Sequence, residues 1–189
     1  MRAELLNAVV VKGVAETGAL ADAIDVPEAE AGPVLAELAE KGLIRYRSGR
    51  LGGWMATEPG REERARLMRA QRLVLPDDRA YSVFVVANAE LKRQCLSWQT
   101  ADAPELAQYV EELAVIHAQV HQVIGVFQRV RPRFAAYARR LDATRERFLA
   151  GDPHALTGVG ADSYHTVWME LHSDILATLD RPRNTIDGA

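Results

Sequence analysis

Leu20 to Ile44 reads LADAIDVPEAEAGPVLAELAEKGLI, and its spacing decides how the first third of the chain folds. Val34, Leu35 and Leu38 recur at helical intervals, and Gly42 follows as a residue suited to the left-handed conformation that ends a helix. Pro33 disfavours a helix through 29–32, so the helix that carries Leu35 is expected to begin only there. Upstream, Gly18 to Ile24 predicts a short helix with Thr17 as its N-cap. Before that, Leu5, Leu6, Val9 and Val10 place a helix from Ala3 to about Val14. Downstream, Ile44-Arg45-Tyr46-Arg47 alternates like a strand, Ser48-Gly49 supplies a turn, and Leu51 to Thr57 returns.

Three helices followed by a hairpin is the order of a winged helix-turn-helix. The stretch 20–44, with ATEPGR (56–61) after the hairpin, also resembles the winged-helix domains of bacterial regulators. In those, a leucine-rich helix ends in Gly-Leu-Ile/Val and a Leu-Thr-x-x-Gly-Arg stretch follows the wing. Thr57, Gly60 and Arg61 match that stretch, and Ala56 departs from its leucine. Proline and paired carboxylates interrupt helical spacing at Leu75-Pro76-Asp77-Asp78. The expected chain is therefore mostly α: a winged-helix domain over 1–75, an all-α helical bundle over 76–180, and a flexible tail over 181–189.

Composition sets the outer bounds. With 189 residues, 48% hydrophobic and 26% charged, the chain is neither disordered nor collagen-like. Apolar runs such as Ala8-Val9-Val10-Val11 are too short to span a bilayer, and no secretory leader is legible at the N-terminus. A single cysteine, Cys95, cannot close an internal disulfide, so a reducing cytoplasm is the expected compartment.

Arg45, Arg47 and Arg50 on the hairpin are candidate DNA contacts, to phosphate or a minor groove. The helix that would read bases argues the other way. It opens with Glu28, Ala29, Glu30, Ala31 and Gly32, and base readout needs donors such as Arg, Lys, Asn or Gln. Glu37 and Glu40 add negative charge against Lys41, and the chain carries a net charge of −3. Protein contact is the expected use of this domain.

In the second part, Tyr81, Phe84, Val85, Leu91, Cys95 and Trp98 form one stripe, with Asn88 interrupting it and needing a partner. Asp102 and Glu105 read as a capping pair for a long helix that buries residues from Leu106 and Tyr109 to Phe127 and Val130. Pro132 closes it. A further helix buries Phe134, Tyr137, Leu141 and Phe148 and stops at Gly151. Asp152 to Ala161 is expected to be an irregular loop, after which Asp162 or Ser163 caps a last helix to about Leu179.

Chemistry-bearing residues cluster late in the chain. His117 and His121, four apart, share a helix face, a common zinc-chelating spacing that needs a third ligand from elsewhere. With no His-Glu-x-x-His motif and no cysteine pair, they are read as hydrogen-bonded structural histidines and no metal is expected. The stretch from Asp162 to Asp174 mixes Tyr164, His165, Trp168, Met169 and His172 where packing alone would favour Leu or Ile. That mixture suits a pocket for a planar, partly polar ligand. Tyr164, Trp168, Met169, Tyr137 and Trp98 are the expected substrate contacts, with His165 or His172 as catalytic base. Arg133, Arg140 and Arg147 repeat every seven residues and are the candidate phosphate or anion contacts.

The series Trp98-Gln99, Phe134-x-x-Tyr137-x-x-Arg140-Leu141, Gly151-Asp152 and Asp162 to His172 resembles actinobacterial modules with a winged-helix start and a helical end. Those modules accompany or are fused to relatives of phosphoenolpyruvate synthase and pyruvate phosphate dikinase, and stand-alone copies look like regulators labelled MarR-type. The resemblance implies an acceptor-binding or regulatory subunit of a dikinase-like phosphotransferase acting on a hydroxy-aromatic or similar small molecule. ATP and Mg would then sit on a partner ATP-binding subunit, with no cofactor on this chain. No glycine-rich phosphate loop is present, so the chain alone is not a kinase. The alternative is a winged-helix transcriptional regulator that senses an aromatic effector in the helical part.

Overall fold

Apolar spacing among the described residues of the first seventy resolves into four helices and three short strands. The computed structural model describes residues 1–49, 52–75, 78–102, 104–158 and 162–182. Helix α1 (Arg2–Lys12) is followed by β1 (Val14–Ala15), α2 (Thr17–Ala23), α3 (Glu28–Glu40), β2 (Ile44–Arg47), β3 (Gly53–Ala56) and α4 (Glu58–Ala70). The strands form an antiparallel sheet in the order β1-β3-β2, with Val14 opposite Met55 and Tyr46 opposite Trp54. Leu5, Val9, Leu20, Leu35 and Leu38 are completely buried in the core that these elements share.

Several expectations shift here. Thr17 is not the cap of α2 but its first residue, and its Oγ1 accepts the Trp54 indole N–H at 3.0 Å. Helix α3 starts at Glu28 and runs through Pro33, five residues earlier than expected. Proline removes the donor that would meet the Ala29 carbonyl, but Ala29 is exposed and water can serve that oxygen. Meanwhile Ala31, Leu35 and Leu38, each 0% exposed, hold the helix on the core. Strand β1, two residues long, has no periodicity to read. The expected start of β3 at Leu51 lies outside the described residues.

The Thr-x-x-Gly-Arg stretch has a steric explanation. Thr57 caps α4: its Oγ1 accepts from Gly60 N at 3.1 Å and donates toward the carbonyls of Gly42 and Leu43. Gly60 lies so close to Leu43 that a Cβ would meet its carbonyl oxygen at 1.9 Å. Only glycine permits that approach.

The second set of elements comprises α5 (Arg79–Thr100), α6 (Leu106–Gln128), α7 (Phe134–Leu149), α8 (His154–Thr157) and α9 (Tyr164–Leu179). With the first set, they make the chain mostly helical. Helix α6 ends before Val130, which is 46% exposed rather than inward. The expected Asp102–Glu105 capping pair does not form; Glu105 itself occupies the N-cap without a side-chain bond. The expected loop 152–161 contains α8, and its residues 159–161 lie outside the described ones. Of the two candidate caps for α9, Ser163 takes the role, accepting from Thr166 N at 3.2 Å.

The chain forms two compact units, one of Met1–Val74 with His172–Pro182, the other of Leu75–Leu171. The expected helical domain, 76–180, therefore loses its last stretch to the N-terminal unit. Asn7 donates to Asp174 at 3.0 Å and accepts from Arg64 at 2.9 Å, and Leu73 N donates to the Thr178 carbonyl at 2.8 Å. These bonds bind 172–182 to the first unit; of the expected tail, residues 183–189 lie outside the described ones.

Candidate functional site

The aromatic residues expected to hold a substrate are packed against one another and against the core. Trp168 is completely buried, stacks on Phe84 with ring centres 5.1 Å apart, and donates its indole N–H to Asn88 Oδ1 at 2.9 Å. Asn88 thereby gains the partner its place in the α5 stripe demanded. Tyr164 is also completely buried and stacks at 6.2 Å on Trp168. Trp98 packs edge-on against Tyr109 and Phe148, and Tyr137 leans on Phe134. Met169 is half-buried.

The two candidate bases differ. His172 is 1% exposed and belongs to the first unit, so a substrate cannot reach its ring as expected. His165 is half-buried on the helical unit; burial, with Lys92 adding to it, holds its imidazole below the ordinary histidine range. Cys95 is inert: burial pushes its thiol up to about 12.

Two of the three candidate anion contacts already hold acids of this chain. Arg140, 4% exposed, grips Asp162 with two bonds of 2.7 and 3.0 Å and reaches Glu170 at 2.8 Å. A guanidinium this deep requires carboxylates beside it, which is why this position is not an open anion site. Arg147 pairs with Asp152 at 2.6 Å and donates to the Asp162 carbonyl. Arg133 is buried with its guanidinium over the Phe134 ring.

On the first unit, Arg45 and Arg47 are exposed on β2, and Arg50 lies outside the described residues. The exposed residues of α3 are Glu28, Ala29, Glu30, Pro33, Ala36, Glu37 and Glu40. Lys41, just beyond, pairs with Glu37.

Sequence spacing missed the third member of one constellation. His117 and His121 on α6 both direct Nε2 at Asp142 Oδ1 on α7, at 3.0 and 2.9 Å. Their rings lie 4.4 Å apart. Nδ1 of His117 is 3.2 Å from the Tyr164 hydroxyl. Burial and the neighbouring His121 hold the His117 imidazole below the ordinary histidine range, and Asp142 opposes them. Tyr164, its pKa raised by burial, stays a neutral phenol.

The helical unit also has a cavity of about 290 Å³. Leu75, Arg79, Ala80 and Val83 line one side, with Gln122, Val123 and Val126 from α6 on the other. It is mostly apolar with two polar groups, the composition of a small-molecule site. None of the expected substrate contacts lines it. Among the described residues, no helix is long and apolar enough to cross a membrane. No protein-family model, curated protein or solved structure matches the chain.

Proposed function

We propose that the chain is an acceptor-binding or regulatory subunit of a dikinase-like phosphotransferase, and that its first unit is a winged helix-turn-helix used to contact protein rather than to read DNA. The order α1-β1-α2-α3-β2-β3 with sheet order β1-β3-β2 supports the winged-helix reading. The observation that carries the functional reading is the outer face of α3: Glu30, Glu37 and Glu40 are exposed there, and Glu28 is exposed at the start of the helix beside Gly18. Carboxylates repel phosphate, and in the major groove glutamate can only accept, from the amino groups of cytosine or adenine.

The phosphotransferase partner rests on the sequence resemblance. With Tyr164, Trp168 and His172 taken by packing, the acceptor's place in this reading moves to the apolar cavity between α5 and α6, whose polar groups are Arg79 and Gln122; His165 does not line it. ATP and Mg would be held by the partner. A second reading, a DNA-binding regulator, draws on Arg45 and Arg47, exposed on β2.

Anisotropy titrations of labelled duplexes from the chain's own upstream region, at physiological salt, separate the two. Binding is expected to be sequence-independent and weak, with Kd about 10⁻⁴–10⁻⁶ M. A nanomolar complex that distinguishes one duplex from a scrambled one would replace protein contact with DNA reading. Adding the chain to a dikinase-like ATP-binding protein and a phenolic acceptor should raise phosphoryl transfer, and Val83→Trp, which fills the cavity, should lower that gain while the chain stays folded. Transfer that ignores the chain altogether would end the subunit reading.

A further inference from the structure

We infer that His117, His121 and Asp142 form a binding site for a divalent transition-metal ion, with zinc the best-suited occupant. The inference stands apart from the phosphotransferase reading and replaces the expectation that these histidines are structural only.

The geometry converges. One ligand atom from each residue lies within 4.8 Å of the other two. His117 and His121 are one helical turn apart on α6, and Asp142 meets them from α7, so the set is fixed by two packed helices. Zinc binds imidazole nitrogen and carboxylate oxygen at about 2.0–2.2 Å, and rotation of these partly exposed side chains brings the three atoms onto one ion.

Hydrogen bonding alone leaves the cluster incomplete. A single oxygen, Asp142 Oδ1, faces both Nε2 atoms. His121 Nε2 is buried and lies 2.9 Å from that oxygen, yet it is not aligned to donate to it. A buried ring nitrogen without an aligned partner costs stability, and a cation beside it and the carboxylate removes that cost. The Tyr164 hydroxyl adds the outer support that metal-bound histidines commonly have. If Nδ1–H of His117 donates to it, Nε2 is left with its lone pair toward Asp142.

The donor set selects the class of ion. Two imidazoles with one carboxylate suit zinc and its first-row neighbours, whereas calcium and magnesium prefer oxygen throughout. Three protein ligands leave at least one coordination position for water or another small ligand. The side chains are 17%, 35% and 46% exposed, so an ion can enter. Arg145, whose charge acts on His117, opposes a cation and also suits an anionic occupant of the open position.

The test is calorimetric titration of the 189-residue, chelator-treated chain with zinc chloride, repeated on His121→Ala and Asp142→Asn. These two side chains are partly exposed, and melting of each metal-free variant checks that it folds. One equivalent should bind to the wild type and raise its melting temperature. Each variant should lose at least tenfold in affinity together with that rise. Tyr164→Phe should weaken binding by about 10–100-fold, as loss of an outer-shell partner does. Binding well below one equivalent, or stoichiometric binding that both ligand variants leave intact, overturns the assignment.

Discussion

Trp168→Ala is expected to destabilise the helical unit by about 3–5 kcal/mol, the range for emptying a buried large aromatic site. The ring is 0% exposed, stacks on Phe84, and supplies the indole donor to Asn88, itself 2% exposed. Truncation leaves a cavity and also deprives a buried amide of one bond, which adds about 1 kcal/mol to the loss. Trp168→Phe separates the two contributions, because it retains most of the packing on Phe84 and gives up the hydrogen bond. Urea denaturation followed by far-ultraviolet circular dichroism measures both variants. A loss below about 1 kcal/mol for Trp168→Ala would mean that the site collapses freely or that the ring is not core. It would restore the expectation that Trp168 stacks on a ligand.

The comparison of Asn88 with Trp168 shows what the sequence could and could not reveal. Asn88 sits on the α5 stripe, so its burial was legible from spacing alone. Its partner lies 80 residues away on α9, and no local pattern encodes which face of α9 meets α5. Asp142 is the same case in the candidate metal site. The pairing of His117 with His121 follows from helical geometry, but the third member depends on the rotation of α7 against α6.

Local rules also lost to tertiary packing. Pro33 reads as a helix start, yet three fully buried neighbours on α3 keep the helix continuous through it. Arg140 offered a signal that charge periodicity obscured. It lies three residues after Tyr137 and next to Leu141, within the apolar stripe that ends at Phe148. A heptad of arginines suggests a solvated or anion-binding face, whereas the stripe places Arg140 inward. The stripe prevailed, and the carboxylates that neutralise it come from outside α7.

Arg140→Met is accordingly expected to cost about 3–5 kcal/mol, as removal of one partner from a buried ion pair does. Burial alone would pull the Arg140 pKa down, but Asp162 and Glu170 carry it above the ordinary arginine value. Methionine fills much of the volume but leaves Glu170, 7% exposed, without the guanidinium 2.8 Å away. Asp162 suffers less, because its side chain is 38% exposed and water can solvate it. The larger share of the cost is therefore expected at Glu170, whose buried carboxylate loses the cation beside it. Arg140→Met combined with Glu170→Leu should recover most of the loss, since replacing a buried ion pair by apolar groups is often neutral or stabilising. Urea titrations of the wild type, both single variants and the double variant yield the coupling energy directly. If Arg140→Met unfolds like the wild type and the protein loses affinity for inorganic phosphate, Arg140 is an anion contact after all, and its bonds to Asp162 and Glu170 give way to the ligand. If the double variant is no more stable than Arg140→Met, the Glu170 carboxylate is not the source of the cost, and the guanidinium acts through Asp162 to fix the start of α9.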